Sequence, residues 1–331
     1  MIGYILAIGA AATWSMVALS ATRIVRYFGS YNYNLLRLLG IIVLFLPYVI
    51  FNWDPIYFDK SIFIAIFLSS VVGIIIGDTF LFICLKRLGP RRQALLFSLQ
   101  IPFTIILAEI FLQTLPSMIE LIGCCLIFFG IIVAIQFNRT IPDDDLENIQ
   151  GNKYVGLFAG VGLALCQAIG IILMKPALEA TDPIIVSYVR VVTAAVLMFF
   201  SLGFLKNNNL LEKMKDVKKT LYSIFLGFMG MGVGMTMLII ALKNGDPGII
   251  STLSSTMPIM IIPILWFVTK NYAGHLAVVG ATLTCFGAGI IFLSLSEPFS
   301  KLTIFSSFVF LICVCKILFK GSLPKYFLNF F

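Results

Sequence analysis

The sequence predicts an all-α integral membrane protein: ten transmembrane helices as two inverted five-helix repeats, followed by an apolar C-terminal extension. Three observations lead there. Residues are 60% hydrophobic and only 11% charged, with a mean hydropathy of +1.05, whereas a soluble domain carries about 25% charge. Apolar runs of the length that crosses a bilayer, about 20 residues, follow one another almost without interruption. The chain also repeats itself. Gly73, Gly77, Thr79, Leu81, Leu85, Lys86 and Pro90 recur at a constant offset of 157 as Gly230, Gly234, Thr236, Leu238, Leu242, Lys243 and Pro247. Gly123 and Phe129-Gly130 return at the same offset as Gly280 and Phe286-Gly287. Five spans is an odd number, so the second copy enters the membrane from the opposite side. Inverted repeats of this kind frame many secondary transporters.

The spans fall near 2–22, 32–51, 61–85, 91–113 and 117–137 in the first half. In the second they fall near 153–174, 183–205, 219–243, 247–269 and 273–295. Residues 2–22 have a signal peptide's length but no basic n-region, so they read as a true first span. The repeats occupy 1–137 and 153–296. A polar linker, 138–152, joins them and contains Asp143-Asp144-Asp145. Asn207–Lys219 reads as a second solvated loop. In the extension 297–331, Ile304–Phe319 is apolar but short and carries Lys316. It is either an eleventh span or a helix lying at the interface.

The net charge of +8 sits in short loops, where it reads as a topology determinant and a contact for anionic lipid headgroups rather than a nucleic-acid face. Loop by loop, the cations favour one side. Arg23 and Arg26, then Lys86, Arg87, Arg91 and Arg92, then Lys206 to Lys219 all belong to the face opposite the N-terminus. Charge thus predicts an N-terminus outside the cytoplasm. The seven cysteines lie in apolar runs without ligand spacing and His275 is the only histidine, so no metal or cofactor is expected. The glycines at 227, 230, 232 and 234 lie inside a span with no Lys-Ser/Thr after them, so they read as small-residue packing and not as a phosphate loop.

Arg37 in the second span, Gly77-Asp78-Thr79 in the third and the run Leu85–Arg92 carry a resemblance. So do Ser98-Leu99-Gln100-Ile101-Pro102 and its partner Ser254-Ser255-Thr256-Met257-Pro258. Over residues 1–296 the chain resembles the drug/metabolite transporter superfamily in its ten-span EamA-like branch. Two departures stand out: Gln113-Thr114 occupies the place of the Gly-Glu usual in similar proteins, and the branch commonly keeps both termini in the cytoplasm. The resemblance implies a transporter and not an enzyme, and no catalytic constellation is legible.

Ionisable residues inside the spans are the candidate site, because each costs about 2.5–3.5 kcal/mol to insert unless it faces a cavity or a partner. Arg37 and Arg190 are equivalent when the first two spans of each half are overlaid at an offset of 153. They are expected to hold the anionic group of a substrate, although each also lies near enough to a span end to snorkel. Asp78 is expected to couple transport to protons, or else to form an ion pair with Arg37. Glu109 reads as a snorkelling or packing residue. Trp14, Gln100 and Gln167 are expected in the cavity wall, Trp14 and Gln167 being equivalent at offset 153. Thr79, Thr236, Ser254 and Ser255 complete the expected substrate-binding set, with the two serines at a backbone discontinuity before Pro258. The expectation is a plasma-membrane secondary transporter that exports a small metabolite or amino-acid-like compound. A lipid flippase of the same fold is the alternative. Expected partners are a small-molecule substrate, membrane lipid and protons.

Overall fold

The computed structural model describes residues 2–52, 59–112, 117–136, 146, 148–180, 182–201, 209–243, 254, 256–269 and 275–295. Among them there is no strand. The helices are α1 (Ile2–Phe28), α2 (Ser30–Asn52), α3 (Lys60–Ser69), α4 (Thr79–Leu88), α5 (Pro90–Phe97), α6 (Gln100–Leu112) and α7 (Met118–Gln136) in the first half. The second half has α8 (Lys153–Ala180), α9 (Pro183–Ser201), α10 (Leu210–Met214), α11 (Val217–Gly227), α12 (Met235–Lys243), α13 (Met257–Thr269) and α14 (His275–Leu295). Six helical stretches are long and apolar enough to cross a membrane: Gly3–Phe28, Ser30–Asn52, Lys60–Leu88, Lys153–Gly170, Ile184–Ser201 and Val217–Leu238. Their outer faces are greasy, with Phe51, Phe158, Phe199, Phe200 and Leu221 exposed. Such a continuous apolar surface suits lipid and not water.

Two features of the backbone depart from plain helix. Ser70–Asp78 joins α3 to α4 as a π-helix, and Phe228–Gly234 joins α11 to α12 in the same way. Under the offset of 157 the two stretches overlap. The paired glycines read as packing residues therefore also mark a widened turn, the kind of local irregularity that recurs at functional sites. The predicted fourth span is likewise broken, α5 ending and α6 beginning around Ser98-Leu99.

Packing exchanges helices between the halves. α1 lies on the second π-helix and α12, while α8 lies on the first π-helix and α4. α7 and α14 form a close seam. A Cβ on Gly130 would sit 2.6 Å from Thr284 N and 2.7 Å from Gly280 O, and one on Gly287 would sit 2.6 Å from Gly123 O. Gly130 thus meets Gly280 while Gly123 meets Gly287, so these two helices run antiparallel. Only glycine lets backbones approach so closely.

Two expectations about loops are corrected. Arg91 and Arg92 are not solvated loop cations but buried, 3% exposed each, in the first turn of α5. Pro90 opens that helix directly after Gly89, whose φ of 83° turns the chain back, so the first turn is drawn inward between helices. Within Asn207–Lys219, the segment Leu210–Met214 is helical and α11 begins at Val217, capped by Asp216. The extension 297–331 and the acidic run 143–145 lie outside the described residues.

Candidate functional site

The first π-helix organises the buried polar groups. In a bilayer every backbone carbonyl needs a donor, and a widened turn disturbs the regular ladder. Three neighbouring helices supply side-chain donors here. Asn34 Nδ2 on α2 donates to Ile74 O at 3.0 Å, Gln167 Nε2 on α8 to Gly73 O at 3.3 Å, and Arg190 Nη2 on α9 to Ser69 O at 3.4 Å. Ser69 Oγ returns a bond to Gly170 O at 2.8 Å. Two of these donors come from the second half of the chain.

At the far end of that π-helix stands Asp78, 5% exposed. Its Oδ2 pairs with Arg37 Nη2. Its Oδ1 accepts from Gln167 Nε2 at 3.0 Å. Arg37 is itself 8% exposed. Its Nε donates to Asn34 Oδ1 at 3.0 Å, and the guanidinium lies 4.7 Å from the centre of the Phe82 ring. The ion pair is thus enclosed by an amide on each side and an aromatic face, as a charge pair taken out of water requires. Arg190, the counterpart of Arg37, reaches the same π-helix nearer its start. A Cβ on Gly73 would lie 2.9 Å from Arg190 Nη2, so glycine is what admits the guanidinium over the backbone.

The second half repeats the scaffold without the charge. Trp14 Nε1 donates to Gly230 O at 2.7 Å, and Met235 stands where the first half has Asp78. Between α2, α9 and the two π-helices lies a cavity of about 30 Å³ lined by Arg190, Ser187, Thr236, Phe45, Met231 and Met235, among others. Room of this size holds a water or two.

The structure brings Arg37, Asp78, Gln167 and Arg190 to one element and places Arg190 and Thr236 in the cavity wall. Thr79 Oγ1 accepts from Asn34 Nδ2 at 3.3 Å and so borders the ion pair. Trp14 is committed to Gly230 O. Gln100 sits half-buried at the start of α6, at the break after α5. Ser254 is buried. Ser255 lies outside the described residues, as does the side chain of Glu109. Asn34 was missed, although a fully buried amide one turn before Arg37 in an apolar run was a readable signal. Ser187 was missed because a lone serine in a span carries none.

One end of the bundle is closed by cations on carbonyls. Arg26 reaches Lys86 O at 3.3 Å and Asn148 O at 3.1 Å, and Lys213 Nζ reaches Tyr27 O at 2.8 Å. Lys219 Nζ stands 3.9 Å from the Tyr27 ring centre. At the other end Tyr48 Oη donates to Asp182 Oδ2 at 3.4 Å. The connection after α9 therefore meets the end of α1, while the connection after α8 meets the end of α2.

A model of the EamA-like transporter family matches residues 1–136 and again 154–293. A solved structure titled only "Crystal structure of protein" superposes with a TM-score of 0.60 at 15% identity, covering 88% of this chain and 98% of its own. At that identity the likeness speaks for the fold alone. No curated protein matches the chain.

Proposed function

The chain belongs to the EamA-like transporter family, and on that premise we propose a secondary active carrier that exports a small metabolite by alternating access. It is a membrane transporter of the drug/metabolite superfamily. The finer reading takes residues 1–137 and 153–296 as two inverted five-helix repeats in the plasma membrane. What supports the inversion is the antiparallel α7–α14 seam and the crossed ends, where the loop after α9 meets α1 and the loop after α8 meets α2. In such a fold the halves rock about a site between them.

The observation that carries the reading is the Arg37–Asp78 pair bound to Gln167 of the other half. A buried ion pair is a poor source of stability, and well-packed apolar residues would serve as well or better. Its presence inside a span points to use. Ionised Asp78 holds Arg37 on the first half and accepts from Gln167 on the second. A proton on Asp78 removes the charge that Arg37 pairs with and frees the guanidinium. One carboxylate thereby links proton binding to an anion site and to a contact between halves. Asp78 is the proposed coupling residue. Arg37, Arg190 and Gln167 bear on substrate, with Thr79, Thr236, Trp14, Gln100, Ser254 and Ser255 around them.

The test is uptake and efflux of a metabolite panel in proteoliposomes, with and without an imposed pH gradient, for wild type and Asp78→Asn at matched amounts of folded protein. Gradient-driven flux should vanish in the variant while exchange at equal pH persists. Flux of unchanged gradient dependence in Asp78→Asn sinks the coupling role. Movement of fluorescent lipid between leaflets, with no soluble compound moved, would favour the lipid flippase instead.

A further inference from the structure

We propose that the cavity above Arg190 is a site for an amphipathic monocarboxylate: a single carboxylate on Arg190 and Ser187, with an apolar body among Phe45, Met231 and Met235. The inference rests on the carrier reading and names its substrate class.

The site is built from one helix face and two flexible walls. Ser187, Arg190 and Val191 of α9 stand three and four residues apart, so they share a face, and all three line the cavity. Ser187 Oγ is buried and has no hydrogen-bond partner among the described residues. A buried hydroxyl without a partner calls for an explanation, and a ligand oxygen beside Arg190 provides one. Arg190 Nη2 donates to Ser69 O, and a guanidinium presents its donors in a planar fork whose geometry matches a carboxylate. Thr236 adds a hydroxyl from the facing helix.

The rest of the wall is apolar: Ile41, Phe45, Ile74, Val191, Met231 and Met235. Met231 belongs to the second π-helix and Met235 follows it directly. Unbranched thioethers on an irregular turn adapt to the shape of an apolar body better than branched side chains do. An apolar body larger than water needs more room than the cavity of about 30 Å³ provides, so in the proposed complex the Met231 and Met235 side chains turn aside to admit it.

Charge sets the class. No acidic residue lines the cavity among the described residues, and the nearby Asp78 is held by Arg37 and Gln167. An ammonium group placed here would face the Arg190 guanidinium with no carboxylate in the cavity wall among the described residues, which is costly. A phosphate dianion would find one guanidinium for two charges. A monocarboxylate is matched on both counts. The same logic ties it to the proton: a carboxylate passing from Arg190 towards Arg37 competes with Asp78, so it binds there only when Asp78 is protonated. Acid and proton then leave together.

Three ligands with one apolar body and different charge decide the matter: 3-phenylpropionate, phenylalanine and phenethylamine. Calorimetric titration of the purified full chain in detergent at pH 7 should give 3-phenylpropionate a Kd at least tenfold below the other two. Arg190→Gln should weaken that binding tenfold or more, and Ser187→Ala severalfold with an unchanged melting temperature. Should Arg190→Gln not fold, Ser187→Ala and Met231→Trp, which fills the cavity, carry the test alone. Equal or tighter binding of phenylalanine, or 3-phenylpropionate binding untouched by Ser187→Ala and Met231→Trp, overturns the proposal. Counterflow with the same panel separates the two levels. A zwitterion carried without carboxylate binding refutes the substrate class alone, whereas carboxylate binding with no flux of any solute refutes the carrier reading.

Discussion

Trp14 and Gln167 hold equivalent places in the two halves, and each donates a side-chain N–H to the equivalent glycine carbonyl of the other half. Trp14 Nε1 meets Gly230 O at 2.7 Å, and Gln167 Nε2 meets Gly73 O at 3.3 Å. The shared element is a glycine carbonyl within a π-helix. Different residue types thus do the same job at symmetric positions, and only Gln167 also reaches a carboxylate.

Removing the indole N–H should expose that dependence. In Trp14→Phe, Gly230 O loses its cross-half donor and a smaller ring replaces the indole. The expected cost is about 1–3 kcal/mol, the usual penalty for an acceptor left buried. Thermal unfolding in detergent measures it, and a melting temperature equal to wild type would show that the bond is incidental.

The Arg37–Asp78 pair should behave as a unit. Asp78→Leu alone strands a buried guanidinium and should destabilise by about 3–5 kcal/mol, whereas Arg37→Met/Asp78→Leu should regain most of the loss. The double variant is expected to unfold near the wild-type temperature yet to show no proton-driven flux. A double-mutant cycle without coupling would disprove the pairing.

Backbone contact at the α7–α14 seam sets up a steric test. Gly130→Ala puts a methyl 2.6 Å from Thr284 N, and Gly280→Ala puts one 2.5 Å from Ala134 N. Neither neighbour can swing away, so each variant should lose about 1–3 kcal/mol. Gly9→Ala meets only the flexible end of Met237, at 3.3 Å from its sulfur, and should fall within about 0.5 kcal/mol of wild type. Detergent melting curves of the three rank the sites.

Orientation follows from the cationic end, where Arg23, Lys215 and Lys218 are exposed. With that end cytoplasmic, Ser61→Cys should react with an impermeant maleimide in intact cells. Lys218→Cys should react only after permeabilisation. The reverse pattern would place the N-terminus inside, against the charge rule.

At that same end a pH effect has a definite sign. Asp216 accepts from Lys219 Nζ at 2.7 Å and from Lys219 N at 3.2 Å, and these contacts hold its carboxyl below the usual carboxylate range. A depressed value in the folded chain means stability that is present above the unfolded value, about 3.9, and fades as pH falls through the folded one. The melting-temperature gap between wild type and Asp216→Asn should therefore close below about pH 4. A gap that persists at lower pH would assign the effect to packing.

Much could be read along the chain, because hydrophobic run length and a glycine repeat are one-dimensional properties. The all-helical membrane class, the paired glycines and the presence of Arg37, Asp78 and Arg190 as ionisable groups inside apolar spans followed from pattern and spacing, and the family from a resemblance. Even the Arg37–Asp78 pairing stood among the readings, since buried charges inside spans need partners. What the pattern could not contain was the exchange between halves. Gln167 meets Asp78 across 89 positions, and Arg190 reaches Ser69 across 121. Such contacts depend on which helix faces lie together in three dimensions. The π-helices escaped notice for a related reason: a widened turn leaves no signature in hydrophobic spacing, and the side chains that bond its carbonyls here come from other helices. Arg91 and Arg92 show the same limit from the other side. Their composition says loop and solvent, but a turn at Gly89 and packing on all sides carry them into the interior.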